Sequence, residues 1–133
     1  MAKDNSSLSD KQKQILLKKG TEAPFSGALL DNKHAGSYVC GACGTELFHS
    51  KNKYDSKSGW PSFDDVIKDG VVRLERDGLL GMERVEAVCA TCGGHLGHVF
   101  DDGPSETTGQ RYCINSASLN FKGEDGQLKR GDG

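Results

Sequence analysis

The chain is 133 residues long, with 17 basic against 19 acidic side chains and a net charge of −2; that length fits one domain whose core is small enough to gain from a metal staple. The basic residues are scattered among acids rather than massed on one segment, which argues against a phosphate-backbone partner and so against nucleic-acid binding. No apolar run nears the roughly 20 residues that cross a bilayer, and Met1-Ala2-Lys3-Asp4-Asn5-Ser6-Ser7 lacks the apolar core of a signal peptide, so a soluble, unexported protein with no membrane partner is expected.

Ser9 is placed to cap a helix running to about Lys19, with Asp10 adding negative charge to the first turn, Leu8, Ile15 and Leu16 as apolar positions and Gly20 as the stop. From Gly36 onward the pattern changes to short strand-like runs split by turns: Ser37-Tyr38-Val39, Val71 to Glu75, Met82 to Val88 and Ser116 to Phe121. Met82 to Val88 alternates apolar with charged residues, as a strand does when one face is packed and the other wet, so an antiparallel sheet system is expected. Residues 123–133 are Gly-rich and charged with only Leu128 apolar, and they and residues 1–8 are expected to be flexible tails of a single domain spanning 1–133.

The five cysteines divide unevenly: Cys40-Gly-Ala-Cys43 and Cys89-Ala-Thr-Cys92 are matched pairs, and Cys113 stands alone. A C-x-x-C followed by glycine turns sharply enough to aim two sulfurs at one ion, and two such turns supply the four thiolates of a closed tetrahedral site. Cys40, Cys43, Cys89 and Cys92 are therefore expected to hold one structural Zn2+. The alternatives for such pairs are a thioredoxin-like redox couple or disulfides of a secreted domain. The 45 residues between Cys43 and Cys89 exceed the spacing of a simple zinc ribbon, so a further module separates the two turns. Metal pairs plus one single thiol suit a reducing compartment, with the cytoplasm as the expected location and a monomer as the expected state.

If Arg111-Tyr112-Cys113-Ile114-Asn115 is a strand, its period of two puts Arg111, Cys113 and Asn115 on one face and Tyr112 and Ile114 on the other. A free cysteine has a pKa of about 8.5 and reacts as the thiolate. A cation about 4 Å away interacts by about 4 kcal/mol at an effective dielectric of about 20, so Arg111 could lower that pKa by two or three units at about 1.36 kcal/mol each. Burial pushes the other way, and the balance is open at this level; the bland reading of Cys113 is an inert buried thiol.

His95 and His98 follow the second C-x-x-C directly, where a metal clip would hold their backbone, and histidine is the natural proton carrier near neutral pH. As ligands of a Cys₂His₂ site they would be spaced too tightly and would orphan Cys40 and Cys43; as solvated loop residues they would have no role. Trp60 lies in Ser58-Gly59-Trp60-Pro61-Ser62-Phe63, where it either packs in the core or floors an apolar pocket.

Together these segments resemble the methionine sulfoxide reductases of the B type from about Leu16 to Phe121. The shared motifs are the two C-x-x-C pairs, Gly59-Trp60-Pro61-Ser62-Phe63, His95-Leu96-Gly97-His98-Val99-Phe100-Asp101-Asp102-Gly103-Pro104 and Arg111-Tyr112-Cys113-Ile114-Asn115-Ser116-Ala117-Ser118-Leu119. The resemblance implies a mainly β fold, two antiparallel sheets forming a small barrel- or sandwich-like core with an N-terminal helix and a structural zinc clip. It implies reduction of methionine R-sulfoxide, in oxidised proteins or as the free amino acid. In that family the residue matching Cys113 attacks the sulfoxide sulfur, those matching His95, His98 and Asn115 bind or protonate the oxygen through a water, and that matching Arg111 supports the thiolate. Trp60, with Phe100, would hold the substrate methyl group.

These roles suit the residues, because a thiolate attacking sulfur needs the oxygen protonated before it can leave; methionine departs and Cys113 becomes a sulfenic acid that another thiol must restore. Many family members carry a resolving cysteine before Gly-Trp-Pro, whereas here the stretch reads Tyr54-Asp55-Ser56-Lys57-Ser58. A one-cysteine cycle is expected, with thioredoxin or a small thiol attacking the sulfenic acid directly, since an internal disulfide would dismantle the clip. A non-catalytic zinc-stapled protein-binding module is the competing reading, and it explains the clip without explaining the strand face around Cys113. A zinc-ribbon nucleic-acid binder would need a basic face.

Overall fold

Short apolar–polar alternations close into ten strands among the described residues, which in this computed structural model are 9–17, 20–77 and 84–131. In chain order they are β1 (Gly36–Cys40), β2 (Glu46–His49), β3 (Lys53–Tyr54), β4 (Ser62–Phe63), β5 (Val72–Asp77), β6 (Arg84–Cys89), β7 (His95–Phe100), β8 (Arg111–Ile114), β9 (Leu119–Gly123) and β10 (Leu128–Arg130). They form two antiparallel sheets, one ordered β10-β9-β1-β2 and the other β3-β4-β8-β7-β6-β5. The mainly β architecture expected from the sequence is the one observed.

Aromatic side chains join the two sheets. Phe48 of β2 stacks on Phe63 of β4 with ring centroids 4.3 Å apart, Tyr38 of β1 meets Phe63 edge-on at 5.1 Å, and Phe48 meets Tyr112 of β8 at 5.7 Å. Tyr38 also packs on Phe121 of β9 at 4.9 Å. Tyr38, Phe48, Phe63 and Phe121 are fully buried, so each contact adds about 0.5–1.5 kcal/mol to the area term and fixes how one sheet lies on the other. Tyr112 and Ile114 face this core, while Arg111 and Cys113 alternate to the other face, as the period of two requires.

Ser9 does cap the helical segment: its Oγ accepts from the Gln12 amide at 3.1 Å and the Gln12 side chain accepts from the Ser9 amide at 3.1 Å. After α1 (Asp10–Gln12) the chain widens into a π-helical turn, Lys13–Leu17, and the Gly20 amide donates to the Gln14 carbonyl at 2.9 Å. Ile15 and Leu16 are buried, and a Cβ on Gly41 or Gly94 would abut Leu16, so this turn packs on both cysteine loops. Lys18 and Lys19, and the Met82–Glu83 start of the expected third run, lie outside the described residues, as do residues 1–8, Leu8 among them.

Three expectations need correction. The run ending at Val88 does not keep one face packed and the other wet: in β6 Val85 is exposed while Glu86, Ala87 and Val88 are all buried, the Glu86 carboxylate being taken up by His95. Ser116–Ser118 is a 3-10 turn rather than the start of a strand, because Ser116 and Ser118 spend their hydroxyls on the Gly131 and His95 carbonyls and the strand begins only at Leu119. The segment after Gly123 does not trail away as a tail throughout: it turns at Gly126 and returns as β10, pairing Leu128 with Lys122 and Arg130 with Asn120. Arg130 then donates to Gln12 at 3.0 Å, which ties this last strand to the first helix.

Candidate active site

The two cysteine loops fold identically. The Gly44 amide donates to the Cys40 carbonyl at 2.8 Å and the Gly93 amide to the Cys89 carbonyl at 2.7 Å, while the Cys40 and Cys89 amides donate to Thr45 and Gly94. Gly44 (φ +81°) and Gly93 (φ +77°) adopt the left-handed conformation that closes each turn. Cys40 Sγ lies 3.7 Å from Cys92 Sγ and Cys43 Sγ 3.6 Å from Cys89 Sγ, and all four sulfurs fall within 4.8 Å of one another. A tetrahedron with arms of about 2.3 Å has edges of about 3.8 Å, so the quartet has the dimensions of a four-thiolate metal site.

The four thiols also shift one another's ionisation: the neighbouring Cys40 thiol, with backbone amides of Cys92 and Thr91, pulls the Cys89 thiol down, while Cys40 is pushed up by Cys89 in turn and by burial. Burial pushes Cys92 up to about 11. Four thiolates this close repel unless a cation sits among them, so the donor set fits a divalent metal ion. Because Cys40 ends β1 and Cys89 ends β6, such an ion would pin one sheet to the other.

The fifth cysteine lies elsewhere. Cys113 sits on β8, in register with Ser62 of β4 on one side and His98 of β7 on the other. Gly97 allows β7 to approach this closely, since a Cβ there would overlap the Cys113 carbonyl. Burial pushes the Cys113 thiol above its usual value, and it outweighs the Arg111 charge and the hydrogen bonds from Ser58 and Arg111 that pull it down; the nearby Glu22 carboxylate adds to the rise. The balance left open by the sequence thus falls to burial.

Arg111 is held as a fork. Its Nε and Nη2 bond the two oxygens of Asp102 at 2.9 and 3.2 Å, and its guanidinium lies 4.5 Å over the Phe100 ring. Phe100 is therefore an apolar floor for Arg111. On the same strand His95 is buried, and its Nδ1 lies 2.7 Å from the Glu86 carboxylate, both side chains being 3% exposed. A carboxylate there fixes the Nδ1–H tautomer and makes Nε2 the exchangeable position. The His95 and His98 rings meet edge-on at 5.5 Å.

Asn115 falls one residue beyond β8 and is buried; its Nδ2 donates to the Leu96 carbonyl at 3.1 Å and its Oδ1 accepts from the Glu22 amide at 3.1 Å. Trp60 is half-buried and donates from Nε1 to the Glu22 carbonyl at 3.0 Å. Since β8 lies between β4 and β7, the loop carrying Trp60 enters the sheet on the β4 side of Cys113, and His98 and Phe100 stand on β7 at its other side. The loop before Trp60 is stitched by hydroxyls, with Ser56 Oγ 2.8 Å from Ser58 Oγ and 2.7 Å from Ser62 Oγ. A groove of about 620 Å³ runs beside Trp60 along Tyr54, Ser56 and Phe25.

The candidate residues thus lie on β7, on β8 and the residue after it, and on the loop entering β4, while the four paired cysteines form a separate cluster. The sequence reading missed Glu22, Ser58, Glu86 and Asp102. Asp102 stands inside a quoted motif and Glu86 interrupts an alternating strand as a buried charge, but no local pattern marks Glu22.

A β protein with four cysteine thiols clustered where its two sheets meet, and a fifth thiol in register with a histidine on the adjacent strand, is the class that fold and site define. The model of the SelR domain family matches residues 8–123, and the chain belongs to that family. It is 59% identical over 117 residues to the peptide methionine sulfoxide reductase MsrB of Leptospira interrogans, covering 88% of each chain. It is 58% identical over 118 residues to the protein of the same name from Methanosarcina barkeri, covering 89% of this chain and 82% of that one. With the mitochondrial methionine-R-sulfoxide reductase B3 of Mus musculus it shares 50% identity over 122 residues, which are 92% of this chain and 48% of the mouse protein.

Proposed function

We propose that this chain is an enzyme that reduces methionine R-sulfoxide to methionine, in proteins or as the free amino acid, with Cys113 as the attacking thiol. The Cys113 thiolate gives an electron pair to the sulfoxide sulfur as the S–O bond breaks. In net terms the oxygen atom passes to Cys113, which becomes a sulfenic acid, and methionine is released. One reducing thiol then displaces water from the sulfenic acid to form a mixed disulfide, and a second frees Cys113 and leaves as the disulfide of the reductant. Thioredoxin or a small thiol fills that role, because no cysteine stands in Tyr54–Ser58 to do so internally.

His95 and His98 carry the proton to the sulfoxide oxygen, Asn115 helps place that oxygen, and Arg111 supports the thiolate. Trp60 and Phe100 hold the methyl group. The observation that carries the reading is the register of Cys113 against His98, with Arg111 on the same strand face. One Zn2+ held by Cys40, Cys43, Cys89 and Cys92 would supply a structural cross-link and no chemistry of its own. The working picture is a single-domain, monomeric protein of the cytoplasm, supported by five free cysteines; no helix among the described residues is long and apolar enough to cross a membrane.

The test is Cys113→Ser. It should abolish turnover of R-methionine sulfoxide while leaving zinc content and fold intact, and thiol titration of the native protein should show one reactive thiol that vanishes after stoichiometric sulfoxide without a disulfide. Retained turnover in the variant would remove the assignment.

A further inference from the structure

Residues 20–35 form no strand, yet one residue in this segment reaches Trp60, Asn115 and the turn after Asn115. Glu22 is 5% exposed and makes four hydrogen bonds through three different groups. Its carboxylate accepts from the Ser116 amide at 2.8 Å and the Ala117 amide at 3.0 Å, its own amide donates to Asn115 Oδ1 at 3.1 Å, and its carbonyl accepts from Trp60 Nε1 at 3.0 Å. Gly27 leaves room for this arrangement, since a Cβ there would come within 2.7 Å of Glu22 Oε2. The neighbouring Phe25 amide donates to the Gly59 carbonyl at 2.7 Å, which fastens the same segment to the Trp60 loop a second time.

We propose that Glu22 is a positioning residue that sets epimer specificity, by fixing the distance between the apolar wall at Trp60 and the polar wall at Asn115. The proposal rests on the sulfoxide-reductase reading above and deepens it. A sulfoxide sulfur carries a methyl group, an oxygen and the rest of methionine, so an enzyme tells its two epimers apart only if the methyl wall and the oxygen site keep a fixed separation. Here both walls hang from the backbone of one residue, Trp60 from its carbonyl and Asn115 from its amide. The buried carboxylate pins that residue to the turn following Cys113. An error of about 1 Å in such placement costs on the order of a hundredfold in rate, so the pin matters to chemistry although it touches no substrate.

Glu22 also has an electrostatic signature that a purely structural clamp lacks. The groups facing the Cys113 sulfur are Arg111 on its own strand, His98 across β7, Ser58 and Tyr54 from the loop and β3, and Glu22. Glu22 pushes the thiol upward. Removing its charge while keeping its shape should therefore make Cys113 more reactive toward an alkylating agent even as turnover falls.

The experiment uses the zinc-replete protein and its Glu22→Gln variant, with resolved R- and S-methionine sulfoxide peptides and iodoacetamide as the thiol probe. Losing one charge-assisted acceptor is expected to lower kcat/KM for the R epimer about tenfold, chiefly through KM. The R-over-S ratio should shrink and alkylation of Cys113 at pH 7 should quicken. Unchanged KM and unchanged epimer ratio would overturn the proposal, as would slower alkylation parallel to lost turnover. Should Glu22→Gln shed zinc and expose every thiol, Trp60→Phe decides. It removes only the indole N–H bonded to Glu22 and keeps an aromatic wall, so it must shift the epimer ratio the same way for the proposal to stand. Absence of turnover in the unaltered protein would instead defeat the underlying reading.

Discussion

Arg111→Met isolates the charge beside the reactive sulfur. Arg111 and Cys113 sit two residues apart on one face of β8, a separation of about 7 Å along a strand. The Arg111 side chain reaches the thiol more closely than the backbone spacing, so at an effective dielectric of about 20 it favours the thiolate by at least about 2 kcal/mol, or about one and a half pKa units or more. The Asp102 carboxylate bound to the same guanidinium returns part of this, so the net loss on substitution is about one unit. The sign follows directly: Cys113 already lies above its usual value because burial wins, and removing Arg111 raises it further. The thiolate fraction at pH 7 should fall about tenfold, and alkylation of Cys113 by iodoacetamide, followed across pH 6–10, should show the curve displaced to higher pH. Turnover should be displaced with it. An alkylation profile that stays in place, or moves to lower pH, would refute the assignment of Arg111 as the supporting charge.

Glu86→Gln replaces the carboxylate partner of His95 with an amide that can donate to Nδ1 and invert the tautomer; kcat/KM should fall between about tenfold and a hundredfold with zinc retained, and the pH–rate profile should lose its histidine limb. Gly97→Ala drives a methyl group into the Cys113 carbonyl, so it should lower thermal stability by about 2–3 kcal/mol and impair turnover, as read by calorimetry and a steady-state assay. Chelation at neutral pH, or Cys89→Ser, should release the metal and unfold the protein cooperatively by circular dichroism, because the binding free energy of such a site is part of the folding free energy.

The sequence made the clip and the thiol legible because their signals are local. A C-x-x-C with glycine after it encodes its own turn, and the alternation of Arg111, Tyr112 and Cys113 encodes its own face. The strand expected at Val71–Glu75, found as β5 (Val72–Asp77), and the cap at Ser9 were readable for the same reason. What escaped was set by partners far along the chain. Glu22 acquires its role from residues more than 90 positions away, and Glu86 becomes a histidine partner only after β6 and β7 pair. Ser116–Ser118 looked like strand because its composition suits one, but its hydroxyls bind distant carbonyls and bend the backbone. Leu128 is exposed, so β10 carried no apolar face by which to announce itself; it is held by backbone pairing with β9 and by polar contacts of Lys129 with Asn32 and Arg130 with Gln12.

The matched cysteine turns have a consequence for how this architecture tolerates change of length. They hold the two ends of a 45-residue excursion between Cys43 and Cys89, and the entropy of closing such a tether grows only with its logarithm. Doubling it would cost about 0.6 kcal/mol. New segments grafted at a surface turn of that excursion, away from the Trp60 loop, β4 and Glu86, should therefore leave the catalytic strands undisturbed, which makes such a turn the natural place to attach a targeting or docking element.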